Sequence, residues 1–250
     1  MERYGLIGKP LGHSFSQKYF TEKFTRENID ARYDPYQLDS AEEILNVVRE
    51  QENVCGLNVT IPYKRDVMAF LDTLDDEARA IGAVNVVAVH RDELGKTILM
   101  GHNSDVNGFT NSIKPLLKPS DRKALILGTG GASKAVVYGL EKKLGLEVKF
   151  VSRHPHEGQL CYEDLNEPLM AEFTVIVNAT PLGMYPKVDE CPNIPYQFLT
   201  PNHVCFDLVY NPEETLFLKK AVMQGAKVKN GLEMLHLQAD ESWEFWQQHK

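Results

Sequence analysis

Residues 125–134, LILGTGGASK, combine an apolar run, a glycine cluster and the start of a helical pattern. This order is typical of a strand that ends in a tight turn and continues as a helix. Glycines let the backbone approach an anion closely, and the free N–H groups of the first helical turn can bind its oxygens. Gly128 and Gly130 fit the first two glycines of the dinucleotide-binding fingerprint, although Ser133 occupies the third position. A glycine-rich turn without a cofactor is the alternative.

The next strand pattern ends at Ser152-Arg153, roughly 24 residues after the first glycine. A dinucleotide fold often has an acid there for the ribose hydroxyl of NAD, or an arginine for the 2′-phosphate of NADP. This chain has Arg153 and no acid, so we predict NADP as the cofactor of the second half. A surface arginine with no ligand is the alternative.

Composition excludes several classes of protein. The 250 residues carry 35 acidic and 27 basic side chains, a net charge of −8, which argues against a nucleic-acid surface. No stretch approaches the ~20 apolar residues of a membrane span. The eight histidines show no metal-ligand spacing, so we predict no metal. The four cysteines form no C-x-x-C pair, which favours buried free thiols in a reducing cytoplasm.

Strand and helix patterns alternate along the chain, which predicts an α/β protein with largely parallel sheets. In the first half we expect a hairpin of Val84–His90 with Thr97–His102 and a helix over Tyr63–Leu74. Further strands are expected at Arg3–Gly8, Ala31–Leu38 and Cys55–Ile61, and further helices at Ser14–Asn28, Asp39–Glu50 and Ser104–Leu117.

The second half predicts a doubly wound sheet. Its apolar runs are Lys123–Leu127, Glu147–Val151, Thr174–Val177, Val204–Leu208 and Lys227–Lys229. We expect one domain over residues 1–106, joined by the C-terminal helix 232–250, and a second domain over 107–231. Trp243 and Trp246 fall on the apolar stripe of that helix, where packing explains them better than binding.

Several polar clusters follow one another in a fixed order and together resemble the shikimate dehydrogenase family. The resemblance covers nearly the whole chain. In sequence the clusters are GKPLGHSFS (8–16), NVTIPYK (58–64), GAVN (82–85), GHNSD (101–105), NATPLGM (178–184), DLVYNP (207–212) and GLEMLHLQ (231–238).

This resemblance implies an N-terminal α/β domain that binds shikimate, a Rossmann-like domain that binds NADP, and an active site in the cleft between them. Ser14 and Ser16 are expected to hold the substrate carboxylate. The other substrate residues are then Asn58, Thr60, Asn85, Tyr210 and Gln238. The residues expected at the cofactor are Gly128, Gly130, Gly131, Ala132, Ser152, Arg153, Thr180 and Gly231.

Ketone reduction needs a proton donor at the carbonyl oxygen and groups that fix the rest of the substrate. We expect Lys64 to exchange that proton, directly or through water, and Asp105 to orient its amine. Taken alone, Lys64 is more often a solvated surface residue, and Asp105 is more often a helix cap. The polyhydroxylated ring suits the donors and acceptors of the Ser, Asn, Thr and Gln set.

The chain departs from the family pattern at two places. Val106 stands where the family usually has a glycine after the aspartate, and the basic support that often follows the family's arginine is replaced by His154, His156 and Glu157. The predicted function is a shikimate dehydrogenase, cytoplasmic, with a small-molecule substrate, no nucleic-acid or membrane partner, and a monomeric or homodimeric state. Two alternatives stay open: a quinate/shikimate dehydrogenase with relaxed cofactor choice, and a non-catalytic NADP- or shikimate-binding regulator.

Overall fold

The computed structural model describes residues 1–12 and 14–250. His13, which belongs to the first polar cluster, lies outside the described residues. The described chain forms two compact units, residues 1–104 with 238–250 and residues 105–237. The second unit therefore begins at 105 rather than at the expected 107, and it also contains residues 232–237.

The first unit is built on a six-stranded mixed sheet in the order β2-β1-β3-β5-β6-β4. Strands β1 to β3 are parallel, whereas β5 pairs antiparallel with both β3 and β6, so the expected hairpin is confirmed. Strand β4 pairs parallel with β6, so three of the five strand pairs are parallel, and the sheet is mixed but still largely parallel, as expected. The strands are β1 Glu2–Gly8, β2 Ala31–Gln37, β3 Val54–Val59, β4 Thr73–Leu74, β5 Val86–Arg91 and β6 Thr97–His102.

Helices α1 Phe15–Arg26, α2 Ile44–Glu50 and α3 Asp76–Ile81 belong to the same unit. The predicted helix over Tyr63–Leu74 is wrong, because only Asp66–Phe70 form a 3₁₀ helix and Thr73–Leu74 pair with β6. Helix α3 was missed although its signals are present. Asp75 caps it by accepting from Ala78 N at 2.6 Å, and it ends at Gly82 with φ +68°.

Aromatic side chains fill one face of this sheet. Trp246, on the last helix, is fully buried, and its indole Nε1 donates to Val87 O at 3.0 Å. It packs against Tyr4 and Phe20, which confirms that the tryptophan stripe serves packing. A Cβ atom at Gly56 would lie 2.4 Å from this indole, so the strand needs glycine to admit it.

The second unit has a five-stranded, wholly parallel sheet in the order β11-β10-β9-β7-β8, which confirms the predicted doubly wound sheet. Its strands are β7 Lys123–Leu127, β8 Glu147–Val151, β9 Val175–Asn178, β10 Val204–Asp207 and β11 Lys227–Lys229. Its helices are α4 Asp105–Ile113, α5 Ser133–Tyr138, α6 Glu167–Glu172 and α7 Leu216–Met223, and α8 Leu232–Gln248 begins here and ends in the first unit.

The strand order of the second sheet reverses beside β7. The chain passes from β7 to β8 on one side and then returns to place β9 on the other. Ligands of open α/β sheets bind beyond the carboxyl ends of the strands at such a switch point. A cofactor site is therefore expected at the loops that follow β7 and β9.

Candidate active site

The glycine turn after β7 lies at this switch point. Gly128 has φ +97°, and a Cβ atom there would lie 2.7 Å from Thr180 Cγ2, so both backbone and space require glycine. Gly130 and Gly131 are exposed, and a Cβ atom on either would meet nothing within 4 Å. Ser133 Oγ donates to Gly130 O at 2.6 Å and fixes the start of α5. The turn thus leaves exposed backbone at Gly130, Gly131 and Ala132, as a pyrophosphate group requires.

Arg153 follows β8, the strand next to β7, and its side chain is exposed. Burial raises the pKa of the nearby Tyr162 phenol, and the positive charge of Arg153 partly opposes that rise. Ser152 is half-buried, and its Oγ accepts from His154 N at 3.2 Å. An accessible guanidinium at the carboxyl edge of the sheet has the chemistry to bind a phosphate ester.

Two more predicted residues lie at the same edge. Gly231 follows β11, and a Cβ atom there would lie 2.3 Å from Leu208 O, so no other residue fits without a backbone shift. Its N–H donates to Val209 O at 3.3 Å. Tyr210 follows β10 and is 40% exposed, which leaves its ring accessible.

In the first unit, Asn58 lies near the end of β3 and is almost completely buried. Its Nδ2 donates to Ser242 Oγ at 3.0 Å and to Asn85 O at 3.3 Å, which uses both amide hydrogens. Its Oδ1 accepts from the Tyr33 hydroxyl at 2.8 Å and retains one lone pair. Asn58 can therefore accept one further hydrogen bond but can donate none.

Asn85 is buried just before β5 and is held in the same way. Its Nδ2 donates to Ser104 Oγ at 3.0 Å and to Gln238 Oε1 at 3.4 Å, and its Oδ1 accepts from Ser104 N at 2.8 Å. Asn58, Asn85 and Gln238 thus belong to one hydrogen-bonded group. The low dielectric around it makes each lost partner costly.

The structure adds residues to this group that the sequence did not single out. Ser242, on α8, donates to Gln238 O at 2.7 Å, so its oxygen must accept from Asn58. Tyr33 is buried in β2, where its phenol reaches Asn58. No sequence signal separates Ser242 from an ordinary helical serine, whereas an aromatic residue within the otherwise mostly polar strand β2 hints at a buried position for Tyr33.

Ser14 is the N-cap of α1 and accepts from Gln17 N at 3.4 Å. Ser16 lies in the first turn of the same helix and is half-buried. Burial raises the pKa of the Tyr33 phenol well above its usual value, and a hydrogen bond from Ser16 acts in the opposite direction. The first turn of α1 is therefore connected to the buried amides through Tyr33.

Lys64 lies in the turn after β3 and is half-buried. The turn is fixed on both sides, because Thr60 N donates to Ile7 O at 2.9 Å and Val84 N donates to Lys64 O at 2.7 Å. Asp105 is the first residue of α4, is half-buried and belongs to the second unit. The position of Lys64 is therefore fixed by a hydrogen-bonded turn, and the position of Asp105 is fixed by the start of α4.

A charged cluster of the first unit is centred on His102, three residues before Asp105. His102 contacts the carboxylates of Asp75 and Glu241, the latter at 2.9 Å from Nε2. Burial lowers the pKa of His102, but the hydrogen bonds to both acids outweigh it and raise the pKa to about 9. The same ring lowers the pKa of Asp75 against the opposing effect of burial. The imidazolium therefore joins β6 to α3 and α8.

Over residues 1–12 and 14–250, no group of histidine, cysteine or acidic side chains could hold a metal ion. No helix in the same ranges is long and apolar enough to cross a membrane. All four cysteines are free thiols. The expectation that they are buried is correct only for Cys205, because Cys55, Cys161 and Cys191 are half-buried.

The chain is similar in sequence to known enzymes of one family. Residues 6–87 match the shikimate dehydrogenase substrate binding domain. A shikimate dehydrogenase (NADP(+)) from Desulforamulus reducens is 35% identical over 97% of this chain and 88% of its own. The chain belongs to the shikimate dehydrogenase family. The predicted resemblance and the predicted two-domain α/β class are thereby confirmed.

Solved structures of the shikimate dehydrogenase family extend the comparison. A shikimate 5-dehydrogenase from Thermus thermophilus, solved with NADP(H) and shikimate, gives a TM-score of 0.83 at 31% identity, covering 98% of this chain and 93% of that one. A quinate dehydrogenase from Corynebacterium glutamicum, solved with NAD, gives a TM-score of 0.86 at 25% identity and covers the same shares of both chains. Sequence similarity thus favours the shikimate enzymes, whereas backbone similarity includes both groups.

Proposed function

We propose that this protein catalyses the reversible NADPH-dependent reduction of 3-dehydroshikimate to shikimate, an oxidoreductase reaction at a CH–OH group. The observation that carries the proposal is the similarity to NADP(+) shikimate dehydrogenases over 97% of the chain. The test is oxidation of NADPH, followed at ~340 nm, with 3-dehydroshikimate as the second substrate. Omission of 3-dehydroshikimate is the control, and a rate equal to that control would overturn the proposal.

The second unit would bind the cofactor. Its donor set fits a dinucleotide phosphate, because Gly130, Gly131 and Ala132 present exposed backbone and Arg153 presents an exposed guanidinium. Ser152, Gly128, Thr180 and Gly231 would line the remainder of that site. NADPH, when bound, supplies the hydride, and the protein's part is to hold it at the carboxyl edge of the sheet.

The first unit would bind the substrate. Ser14 and Ser16 would donate hydroxyl hydrogen bonds to its carboxylate. Asn58 has only acceptor capacity left, so its partner on the ring has to be a hydroxyl group that donates. The remaining contacts to the ring are assigned to Thr60, Asn85 and Gln238 of this unit, and one contact is assigned to Tyr210, which belongs to the second unit.

Lys64 would act on the reacting oxygen. In reduction its ammonium donates a proton to the developing alkoxide, and in oxidation its amine takes that proton back, directly or through a water molecule. Asp105 would accept hydrogen bonds from this amine and from the same hydroxyl, and so orient both. The charge of Lys64 also stabilises the negative charge that forms on oxygen in the transition state.

A quinate/shikimate dehydrogenase with relaxed cofactor choice is the second candidate. The backbone similarity to an NAD-bound quinate dehydrogenase, with a TM-score of 0.86, favours keeping it. The values of kcat/KM for shikimate and quinate, each with NADP and NAD, separate the two. We expect the pair of shikimate and NADP to be preferred, and comparable values for quinate and NAD would favour the second candidate.

A non-catalytic regulator would keep ligand affinity without turnover. Retention of both Lys64 and Asp105 argues against it. Binding of NADPH and shikimate measured by calorimetry, alongside a null result in the assay above, would favour the regulator.

Two properties of the whole protein complete the proposal. We place it in the cytoplasm, since its four cysteines are free thiols. Cell fractionation with an antibody tests the location. The predicted monomeric or homodimeric state is tested by light scattering of the purified chain.

A further inference from the structure

The carboxyl edge of the second sheet holds a buried carboxylate that the proposed site does not use. Asp207 ends β10 and is fully buried. Its Oδ1 accepts from Asn178 Nδ2 at 2.9 Å and from Val209 N at 3.0 Å, and its Oδ2 accepts from Thr215 Oγ1 at 2.6 Å. A buried carboxylate with this many donors fixes the groups that donate to it.

Asn178, which ends the neighbouring strand β9, receives its orientation from Asp207. A carboxylate only accepts, so the Asn178 NH₂ group must face Asp207 and its Oδ1 must face the other way. That Oδ1 accepts from Thr180 N at 3.0 Å and from Thr180 Oγ1 at 2.6 Å. The amide therefore transmits the position of the carboxylate to the loop after β9.

Thr180 contacts the glycine turn. Its Cγ2 occupies the space where Gly128 would carry a Cβ atom, and its Oγ1 accepts from Leu182 N at 3.3 Å. Asn178 thus holds the loop after β9 on one side. On the other side, the Thr180 methyl group of this loop packs against the glycine turn at Gly128. A rotated amide would turn its NH₂ group toward the Thr180 N–H and lose that hydrogen bond.

We propose that Asp207 is a positioning residue for the cofactor: it aims Asn178 at Thr180 and so holds the loop after β9 against the Gly128 turn. This inference rests on the proposed function, since it presumes that NADPH binds at this edge. Burial raises the pKa of Asp207 to about 6, partly offset by its three donors, so the group is a carboxylate at pH 7.5.

The same unit offers a matched control. Asp121 is also buried, and its oxygens accept from a threonine hydroxyl, Thr174 Oγ1 at 2.8 Å, and from a backbone amide, Lys118 N at 2.7 Å. It precedes β7, and Thr174 directly precedes β9, so this pair lies at the amino edge of the sheet. Loss of either acid should weaken the fold, but only Asp207 faces the cofactor edge.

The experiment compares Asp207→Ala, Asp121→Ala and Asp207→Asn at pH 7.5 with no shikimate present. The readouts are the Kd for NADPH from nucleotide fluorescence, the Tm, and hydrogen exchange of the Thr180 amide. We expect Asp207→Ala to raise Kd about tenfold and to speed exchange of Thr180. Asp121→Ala should lower Tm comparably and leave Kd within about twofold. The Kd of Asp207→Asn should stay within about threefold of the wild-type value. Its amide oxygen can accept from Asn178 and Val209, while its NH₂ donates to Thr215.

Two results would overturn the inference: an unchanged Kd in folded Asp207→Ala, or an equal rise in Asp121→Ala. If Asp207→Ala does not fold, Asn178→Leu tests the same connection, since it removes the oxygen that faces Thr180; an unchanged Kd there counts against the role. Wild-type protein that fails to bind NADPH would instead overturn the proposed function, so the two failures are distinguishable.

Discussion

The two units assemble their candidate sites in different ways. In the second unit, Gly128, Ser152, Thr180 and Tyr210 each follow the end of a successive parallel strand. In the first unit, Asn58 lies inside β3, and its partner Ser242 comes from α8, 184 positions later in the chain. The candidate site of the second unit is formed by loops at one edge of its sheet, whereas that of the first unit is a buried hydrogen-bonded group.

The reason lies in the sheets. Parallel strands all end at the same edge, so residues that follow them are brought together by topology alone. In the mixed sheet of the first unit, β5 runs antiparallel to β3 and β6, so Asn85, just before β5, also lies at the edge where β3 ends, but its amide and that of Asn58 are buried there instead of lying in exposed loops. A helix from the end of the chain has to complete the group. We expect these two constructions to carry separate tasks, catalysis and substrate binding in the first unit and cofactor choice in the second.

Replacement of Lys64 should have the largest effect. Lys64→Ala removes the proposed proton donor together with its positive charge, so kcat should fall roughly 10²- to 10⁴-fold. Affinity for NADPH should stay within about twofold. The measurements are steady-state kinetics at ~340 nm and NADPH fluorescence titration, with Lys96→Ala in the exposed β5–β6 turn as the control. A raised KM with unchanged kcat would reduce Lys64 to a binding residue.

Replacement of Arg153 tests the cofactor side of the comparison. Arg153→Ala should weaken NADP by about 1.5–3 kcal/mol, or roughly 10- to 150-fold, through loss of a charged hydrogen bond to the 2′-phosphate. Values of kcat/KM for NAD should change little. Arg122→Ala, exposed at the amino edge of the same sheet, is the control and should leave both cofactors unaffected. Equal losses for NADP and NAD would remove the specificity role of Arg153.

The pH dependence of stability should differ between two buried histidines, one in each unit. The pKa of His102 is raised to about 9, above its ordinary ~6.5, so its stabilising effect is complete below ~6.5 and is lost as pH rises through 9. That loss should amount to about 2–3 kcal/mol in the free energy of unfolding between pH 6.5 and 10. Urea titrations at several pH values measure it, and His102→Gln should flatten the curve.

His203 of the second unit is the control for this test. Its Nδ1 accepts from Thr200 N and contacts Thr200 Oγ1, and its Nε2 contacts Met170 O, so these partners are uncharged groups instead of carboxylates. His203→Gln should lower stability by a similar amount at pH 7.5 and pH 9.5. If the His102→Gln curve keeps the wild-type slope in this range, another group is responsible for the pH dependence.

The two serines of α1 should give the smallest effects. Ser14→Ala and Ser16→Ala should each raise the KM for shikimate roughly tenfold, about 1.5 kcal/mol for one hydrogen bond to a carboxylate. Because Ser14 also caps α1, its removal alone should lower stability as well, by about 1 kcal/mol. Ser40→Ala, whose side chain makes no cap hydrogen bond, is the control. An analogue without the carboxylate should bind all variants alike, and equal losses for it would contradict the assignment.

Local sequence was sufficient for much of the second unit. The runs of β7, β9 and β10 predicted strands there because a parallel strand that is buried on both faces must be mostly apolar. The glycine turn was also predictable, since the positive φ of Gly128 and its approach to Thr180 leave no other residue type. In the first unit, the region 63–74 was predicted as helix, because its pairing with β6 depends on a strand more than twenty residues away.

The sequence by itself determined the family, the fold class and the residue types available for chemistry, since these follow from short-range pattern and from clusters in a fixed order. Only the tertiary structure decided how those residues act. Tyr33 and Ser242 turn Asn58 into an acceptor, Asp207 orients Asn178, and two acids from α8 and the start of α3 keep His102 charged. Hydrogen-bond polarity and protonation depend on what surrounds a group in space, and residues far apart along the chain provide those surroundings.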